Sequence, residues 1–218
     1  MTDRRTEALV AALAERARPV TPLPPPLRRA VLTLLPLGAA GAVLVLAAGD
    51  VPGMMRRYSG REALMAVEMG AMAATALLAV IGAFALSVPG GSRRWLLAPM
   101  PPFLLWIAAS GLGCWRDFGR LGPGGWESGH SSNCLLFILA ASLPIGGVML
   151  WRLSRARPID PLPVALLGGL GAAALAALLL QFFHPFGLTV IDLGVHFAAV
   201  ALVVVLVAFS RRQTLAPA

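Results

Sequence analysis

Apolar residues run along this chain in long unbroken windows, and charge is confined to the gaps between them. The windows Ala30–Gly49, Met69–Ser92, Trp95–Trp115, Ser128–Trp151, Pro161–Ile191 and Leu193–Ser210 contain no Asp, Glu, Lys or Arg. A helix rises about 1.5 Å per residue, so roughly 20 residues cross a hydrocarbon core about 30 Å thick. Each window is of that order. The pattern predicts an all-α membrane protein, with six transmembrane helices in a bundle and a short cytoplasmic N-terminal tail. The connections Asp50–Ala63, Pro89–Arg94, Arg116–Asn133, Arg152–Leu162 and His184–Ile191 are mostly short, which implies antiparallel neighbours. A soluble bundle is a poor alternative, because 218 residues supply too little polar surface to wrap this much apolar length.

The same pattern divides the chain into a tail (1–29), a six-helix domain (30–210) and a C-terminal tail (211–218). Within the first tail, "TEALVAALAERA" is rich in helix formers. Leu9, Val10 and Leu13 fall on one face, with Glu7, Glu15 and Arg16 elsewhere. A helix this short is marginal alone in water and needs a surface to lie on. "PVTPLPPPL" follows, with Pro19, Pro22, Pro24, Pro25 and Pro26, and reads as a semi-rigid polyproline spacer. Two readings stay open: the helix lies flat on the inner leaflet, or Leu9, Val10 and Leu13 dock a protein partner. The long polar stretch before the first apolar run argues against a cleaved signal peptide.

Composition supports the membrane and charge orients it. Hydrophobic residues make up 58% of the chain and charged ones 13%, and the mean hydropathy is +0.79. The net charge of +8 comes entirely from arginine, since all 18 basic residues are Arg. In a soluble protein that balance would suggest nucleic acid. Here the arginines sit at helix ends, where they set topology, and no direct nucleic-acid contact is expected. Arg4, Arg5, Arg16, Arg18, Arg28, Arg29, Arg93, Arg94, Arg152, Arg155, Arg157, Arg211 and Arg212 fall on one side. Arg56, Arg57, Arg61, Arg116 and Arg120 fall on the other, with Arg56–Arg61 the main contrary cluster. The bias puts both termini in the cytoplasm.

Both cysteines lie in one Gly-rich stretch, "GCWRDFGRLGPGGWESGHSSNC", Gly113 to Cys134. The topology puts Cys114 at the outer end of the third helix and Cys134 at the start of the fourth, at one depth near water. In an oxidising compartment the pair forms a disulfide or redox couple. Alternatively Cys114, Cys134 and His130 offer soft and borderline ligands to a metal, although their spacing matches no standard zinc pattern. The third option is that the thiols are inert. Trp115 and Trp126 fit an interfacial belt. Glu68 reads as reaching the headgroups from the outer start of the second helix; Gln181 and His184 end the fifth. Asp192 and His196, four apart, read as an interfacial pair on one helical face. Gly38, Gly41, Gly168, Gly169 and Gly171 permit close helix approach. Pro99, Pro101, Pro102 and Pro144 are expected to bend the helices flanking the thiol segment. No catalytic set appears, so no enzyme is expected and no cofactor is called for. No midplane ionisable group suggests an ion-coupled carrier.

"FALSVPGGSRRWLLAPMPPFLLW", "GLGCWRDFGRLGPGG", "GHSSNCLLFILAASLP" and "LLGGLGAAALAALLLQFFHP" resemble the NrsF-type membrane proteins, negative regulators of the extracytoplasmic-function sigma factor sigma-F. The likeness covers about residues 84–186, and its most specific run is Gly113-Cys114-Trp115-Arg116-Asp117. The resemblance implies a six-helix bacterial inner-membrane anti-sigma factor of proteobacteria. It also implies two extracytoplasmic cysteines, here Cys114 and Cys134, that sense metal or oxidative stress. The expected partners are then an extracytoplasmic-function sigma factor and the lipid bilayer; the oligomeric state is left open. A small permease-like transporter with structural cysteines and a membrane thiol redox protein are the alternatives.

Overall fold

The computed structural model describes residues 4–16, 22–121, 131–183 and 190–214. Among the described residues there are eight α-helices and no strand: α1 (Arg4–Arg16), α2 (Pro26–Ala48), α3 (Val51–Arg57), α4 (Glu62–Leu86), α5 (Met100–Leu121), α6 (Ser131–Ser154), α7 (Pro161–Leu180) and α8 (Val190–Thr214). A 3-10 turn, Arg93–Leu96, precedes α5. Helices α2, α4, α6, α7 and α8, together with α5 and its preceding turn, are long and apolar enough to cross a membrane.

Local chemistry sets the boundaries. Helices α2 and α7 start on Pro26 and Pro161, whose fixed φ suits a first helical residue and whose missing N–H costs nothing there. Asp50 caps the short helix α3, accepting from the Gly53 N–H at 2.8 Å. Pro101 and Pro102 occupy the first turn of α5, so they start that helix instead of bending it, contrary to expectation. Pro144 does lie inside α6 and removes one internal hydrogen bond. Helix α4 begins at Glu62, well before the charge-free window opens at Met69, because one helix face tolerates charge that a window does not.

Helices α4 and α7 form the centre. Helix α7 is almost wholly Gly, Ala and Leu, and it is buried nearly all round. A Cβ on Gly169 would stand 2.9 Å from Val204 Cα of α8, and one on Gly171 would stand 2.8 Å from Val80 Cγ2 of α4. Those two glycines set how closely α8 and α4 approach. The α2 glycines behave differently: nothing lies within 4 Å of a Cβ on Gly38, and Gly41 meets only Leu179 Cδ1 at an ordinary 3.8 Å. Helix α2 is accordingly peripheral, and a largely apolar cavity of ≈ 570 Å³ opens beside it between Leu34, Val45, Ile145 and Leu179.

Sequential helices pack together as expected, except that among the described residues α5 and α6 are joined mainly through α8. Helix α5 packs on α4 and α8, whereas α6 packs on α7, α8 and α2. Helix α8 is thus the element that α5 and α6 share.

Candidate functional site

The thiol segment is only partly described. Cys114 is buried on α5, and α5 continues to Leu121, so Cys114 lies about two turns inside its helix end. The expected helix end at Cys114 is therefore corrected. Cys134 lies in the first turn of α6, but its side chain falls outside the described residues, as does all of His130. Trp106, Ser110 and Cys114 follow one another at four-residue spacing, and all three are buried. They form an inward stripe on α5.

That stripe meets a cluster the sequence reading did not anticipate. Glu68 is 4% exposed and does not reach outward to headgroups. Its Oε1 accepts from Ser110 Oγ at 2.6 Å, and its Oε2 accepts from the Tyr58 hydroxyl at 2.8 Å. The Tyr58 oxygen also lies 3.3 Å from Gln181 Oε1, which accepts from Arg57 Nη2. Burial, and after it the Glu68 charge, pushes the Tyr58 phenol far above its ordinary range. The hydroxyl therefore stays protonated and donates. Arg57 stacks over the Tyr58 ring at 4.8 Å and donates to the Gln181 carbonyl at 3.4 Å.

This cluster stands at the bundle end where α2, α5 and α7 finish and α4, α6 and α8 begin. The Asp50 N–H donates to the Phe182 carbonyl at 2.8 Å, closing the same end. A void of ≈ 10 Å³, about one water in size, is lined by Glu68, Ser110, Gln181 and His196. His196 is buried, so it faces the bundle and not the interface; the Asp192 side chain lies outside the described residues. Among the described residues no group of three or more His, Cys, Asp or Glu is placed to hold a metal.

Helical spacing is the signal that could have found Glu68. Glu68, Ala71, Met72, Thr75, Ala76, Ala79, Val80 and Ala83 are all buried and repeat at three- and four-residue steps on α4. A buried donor left without its acceptor costs about 1–3 kcal/mol. Glu68→Leu strands the Ser110 hydroxyl and leaves Tyr58 only its longer contact to Gln181, and it is expected to lower stability in detergent by that order. Glu68→Gln, which keeps one acceptor, is expected to lose less. Thermal unfolding of the purified variants measures both, and a Glu68→Leu melt equal to wild type would discard the account.

At the other end of the chain, α1 folds as expected. Leu9, Val10 and Leu13 are 59%, 60% and 60% exposed on one helix face. Pro22–Pro25 run extended and exposed into α2, with Pro25 at φ −50° and ψ 144°. The chain therefore carries an amphipathic helix with an exposed apolar face, and exposed prolines leading into the bundle.

The chain matches the family described as "Negative regulator of sigma F", NrsF, over residues 13–216. It belongs to the NrsF family. The match takes in the whole bundle, both cysteines and Leu13, and begins just after Leu9 and Val10. It places the chain among negative regulators of a sigma factor, so the partner the family name implies is a protein. No curated protein and no solved structure matches the chain.

Proposed function

We propose that this NrsF-family protein is a membrane-embedded anti-sigma factor, with its tail in the cytoplasm and its thiols outside. Helix α1 of the tail holds an extracytoplasmic-function sigma factor through Leu9, Val10 and Leu13. Cys114 and Cys134 respond to metal or oxidative stress in the envelope, and the helices carry the change inward. The family supports the regulatory class. The observation that carries the mechanism is the α1 apolar face, about 60% exposed on a helix set apart from the bundle by prolines. Such a face lowers its free energy by covering itself with a partner. Deleting residues 1–25 tests it: co-purification of the sigma factor with the shortened chain, in the same membranes, would end the proposal.

Orientation rests on the arginine bias. The arginines of the main contrary cluster have local duties: Arg57 caps the α7 end through Gln181, and Arg61 donates to the Arg57 carbonyl at 2.9 Å. Arg56 lies 3.9 Å from Asp50. These contacts give Arg56, Arg57 and Arg61 a local role besides orientation, which supports reading them as weaker evidence against the bias than their number suggests. Reporter fusions at Ser59, Gly124 and Gly187 are expected outside, and fusions at Ser92, Ala156 and Thr214 inside. A cytoplasmic signal from Gly124 would put the thiols in a reducing compartment and remove the sensing role.

A further inference from the structure

We infer that Arg29 is the latch joining the thiol-bearing helix α6 to the root of the tail. Arg29 stands in the first turn of α2 and is 8% exposed. Its Nη1 donates to Ser87 Oγ at 3.2 Å and its Nη2 to the Arg152 carbonyl at 3.4 Å. The guanidinium lies 5.0 Å over the Phe84 ring. No carboxylate among the described residues pairs with it. Two helix C-termini take that place, since Ser87 is the α4 C-cap and Arg152 belongs to the last turn of α6. Helix C-termini carry partial negative charge, so the cation is stabilised by both at once.

The α6 terminus shows why this residue matters. A helix leaves its last four carbonyls without internal partners. In α6 the Trp151 carbonyl accepts from Ser154 Oγ at 2.9 Å, Leu153 from the Ala156 N–H at 3.0 Å and Ser154 from the Arg157 N–H at 3.0 Å. The fourth, Arg152, accepts from Arg29. Arg29 therefore completes the α6 terminus from another helix. Cys134 lies near the other end of α6, about 27 Å from Arg152 along the helix axis. On the tail side the Arg29 N–H donates to the Pro25 carbonyl at 3.1 Å, and Pro25 is the last residue of the extended spacer. A shift of α6 must carry Arg29 with it or leave the Arg152 carbonyl unpaired and the buried cation held by α4 alone. The stiff spacer then converts a small motion of the first α2 turn into a larger one at α1. Among the described residues the Arg29 guanidinium hydrogen-bonds to α4 and α6 and not to α5, which assigns transmission to α6.

This inference rests on the reading of tail and thiols above, and two measurements separate them. The first uses no inducer. Spin labels at Thr6→Cys and Arg155→Cys, in a full-length Cys114→Ser, Cys134→Ser background in nanodiscs, report the tail-to-α6 distance by double electron–electron resonance. Arg29→Gln is expected to broaden that distribution and Arg29→Lys, which keeps the cation but lacks the two-pronged fork, to broaden it less. Identical distributions in wild type and both variants overturn the latch. The second measures sigma-factor release by diamide from the full chain with native cysteines. Arg29→Gln is expected to hold sigma at rest but release it about tenfold less than wild type, a usual size for coupling between sites. Its thiols should still be oxidised to the wild-type extent, as scored by alkylation. Release at the wild-type ratio overturns the latch; if Arg29→Gln does not fold, the same ratio in Arg29→Lys decides. A wild-type chain that never releases sigma, with the distance change intact, sinks the sensing reading and leaves the latch standing.

Discussion

Replacing Cys114 or Cys134 with serine is expected to abolish release of the sigma factor by a thiol oxidant or thiophilic metal, with the resting complex unaffected. These are the only thiols of the chain. Taking a bound population from 99:1 to 1:99 needs a differential of about 5.5 kcal/mol. A disulfide or a two-thiolate metal bond is of that scale, whereas a single hydrogen bond nets only about 1 kcal/mol. Oxidation of the pair forms one S–S bond and passes two protons and two electrons to the oxidant. Serine is close to cysteine in size, so the buried position on α5 should still pack. Cys114 is buried one turn beyond Ser110, so a bond formed at its sulfur is expected to act on the contact between α5 and the Glu68 cluster. His130→Ala divides the chemistries, since it is silent for a disulfide and damaging for a metal. Sigma co-purification with and without diamide, beside thiol alkylation, reads all three variants. A fully responsive double serine variant would reduce the segment to a plain connection.

The bundle was legible because spanning helices need long apolar runs, and nothing else in a chain of this length produces them. The tail was legible for a related reason: Leu9, Val10 and Leu13 repeat at helical spacing, and a proline run cannot continue a helix. What escaped the reading was everything that depends on which face of a helix turns inward. Windows free of charge begin after Glu68, so they cast it as a boundary residue, although its helical register with Met72, Thr75 and Ala79 points it into the core. In the sequence Arg29 reads as one orienting charge among many; its hydrogen-bond partners stand at the ends of α4 and α6, 58 and 123 residues away. The order of helices was likewise hidden. Adjacency in sequence suggested that α5 and α6 lie side by side, but among the described residues α5 packs on α4 and α8, and the α7 glycines hold α4 and α8 close against α7. Local spacing carries the elements, and their arrangement depends on a few small residues whose partners are remote.

Leu13→Asp is expected to weaken capture of the sigma factor tenfold or more. Leu13 lies between Leu9 and Val10 on the exposed face of α1 and is the first residue of the family match. Burying a leucine is worth about 1.5–3 kcal/mol, and tenfold in affinity is about 1.4 kcal/mol. A carboxylate placed in the same contact adds a desolvation cost, so the leucine term alone is a lower bound. Aspartate is also a weaker helix former than leucine by a few tenths of a kcal/mol, and that effect must be separated from loss of contact. Ala11→Asp supplies the control: it introduces the same charge and a comparable helix penalty on the opposite face of α1. It is expected to change capture no more than about twofold, given the size of such propensity differences. Titration of the sigma factor against each full-length variant in nanodiscs measures the two dissociation constants under one salt condition. Equal weakening by both would mean that α1 needs only to be helical, or only to be less acidic, for binding. A loss confined to Leu13→Asp assigns the contact to the face formed by Leu9, Val10 and Leu13. A Leu13→Asp chain that binds like wild type would leave that face to the inner leaflet, and the sigma factor would have to be held elsewhere on the cytoplasmic side.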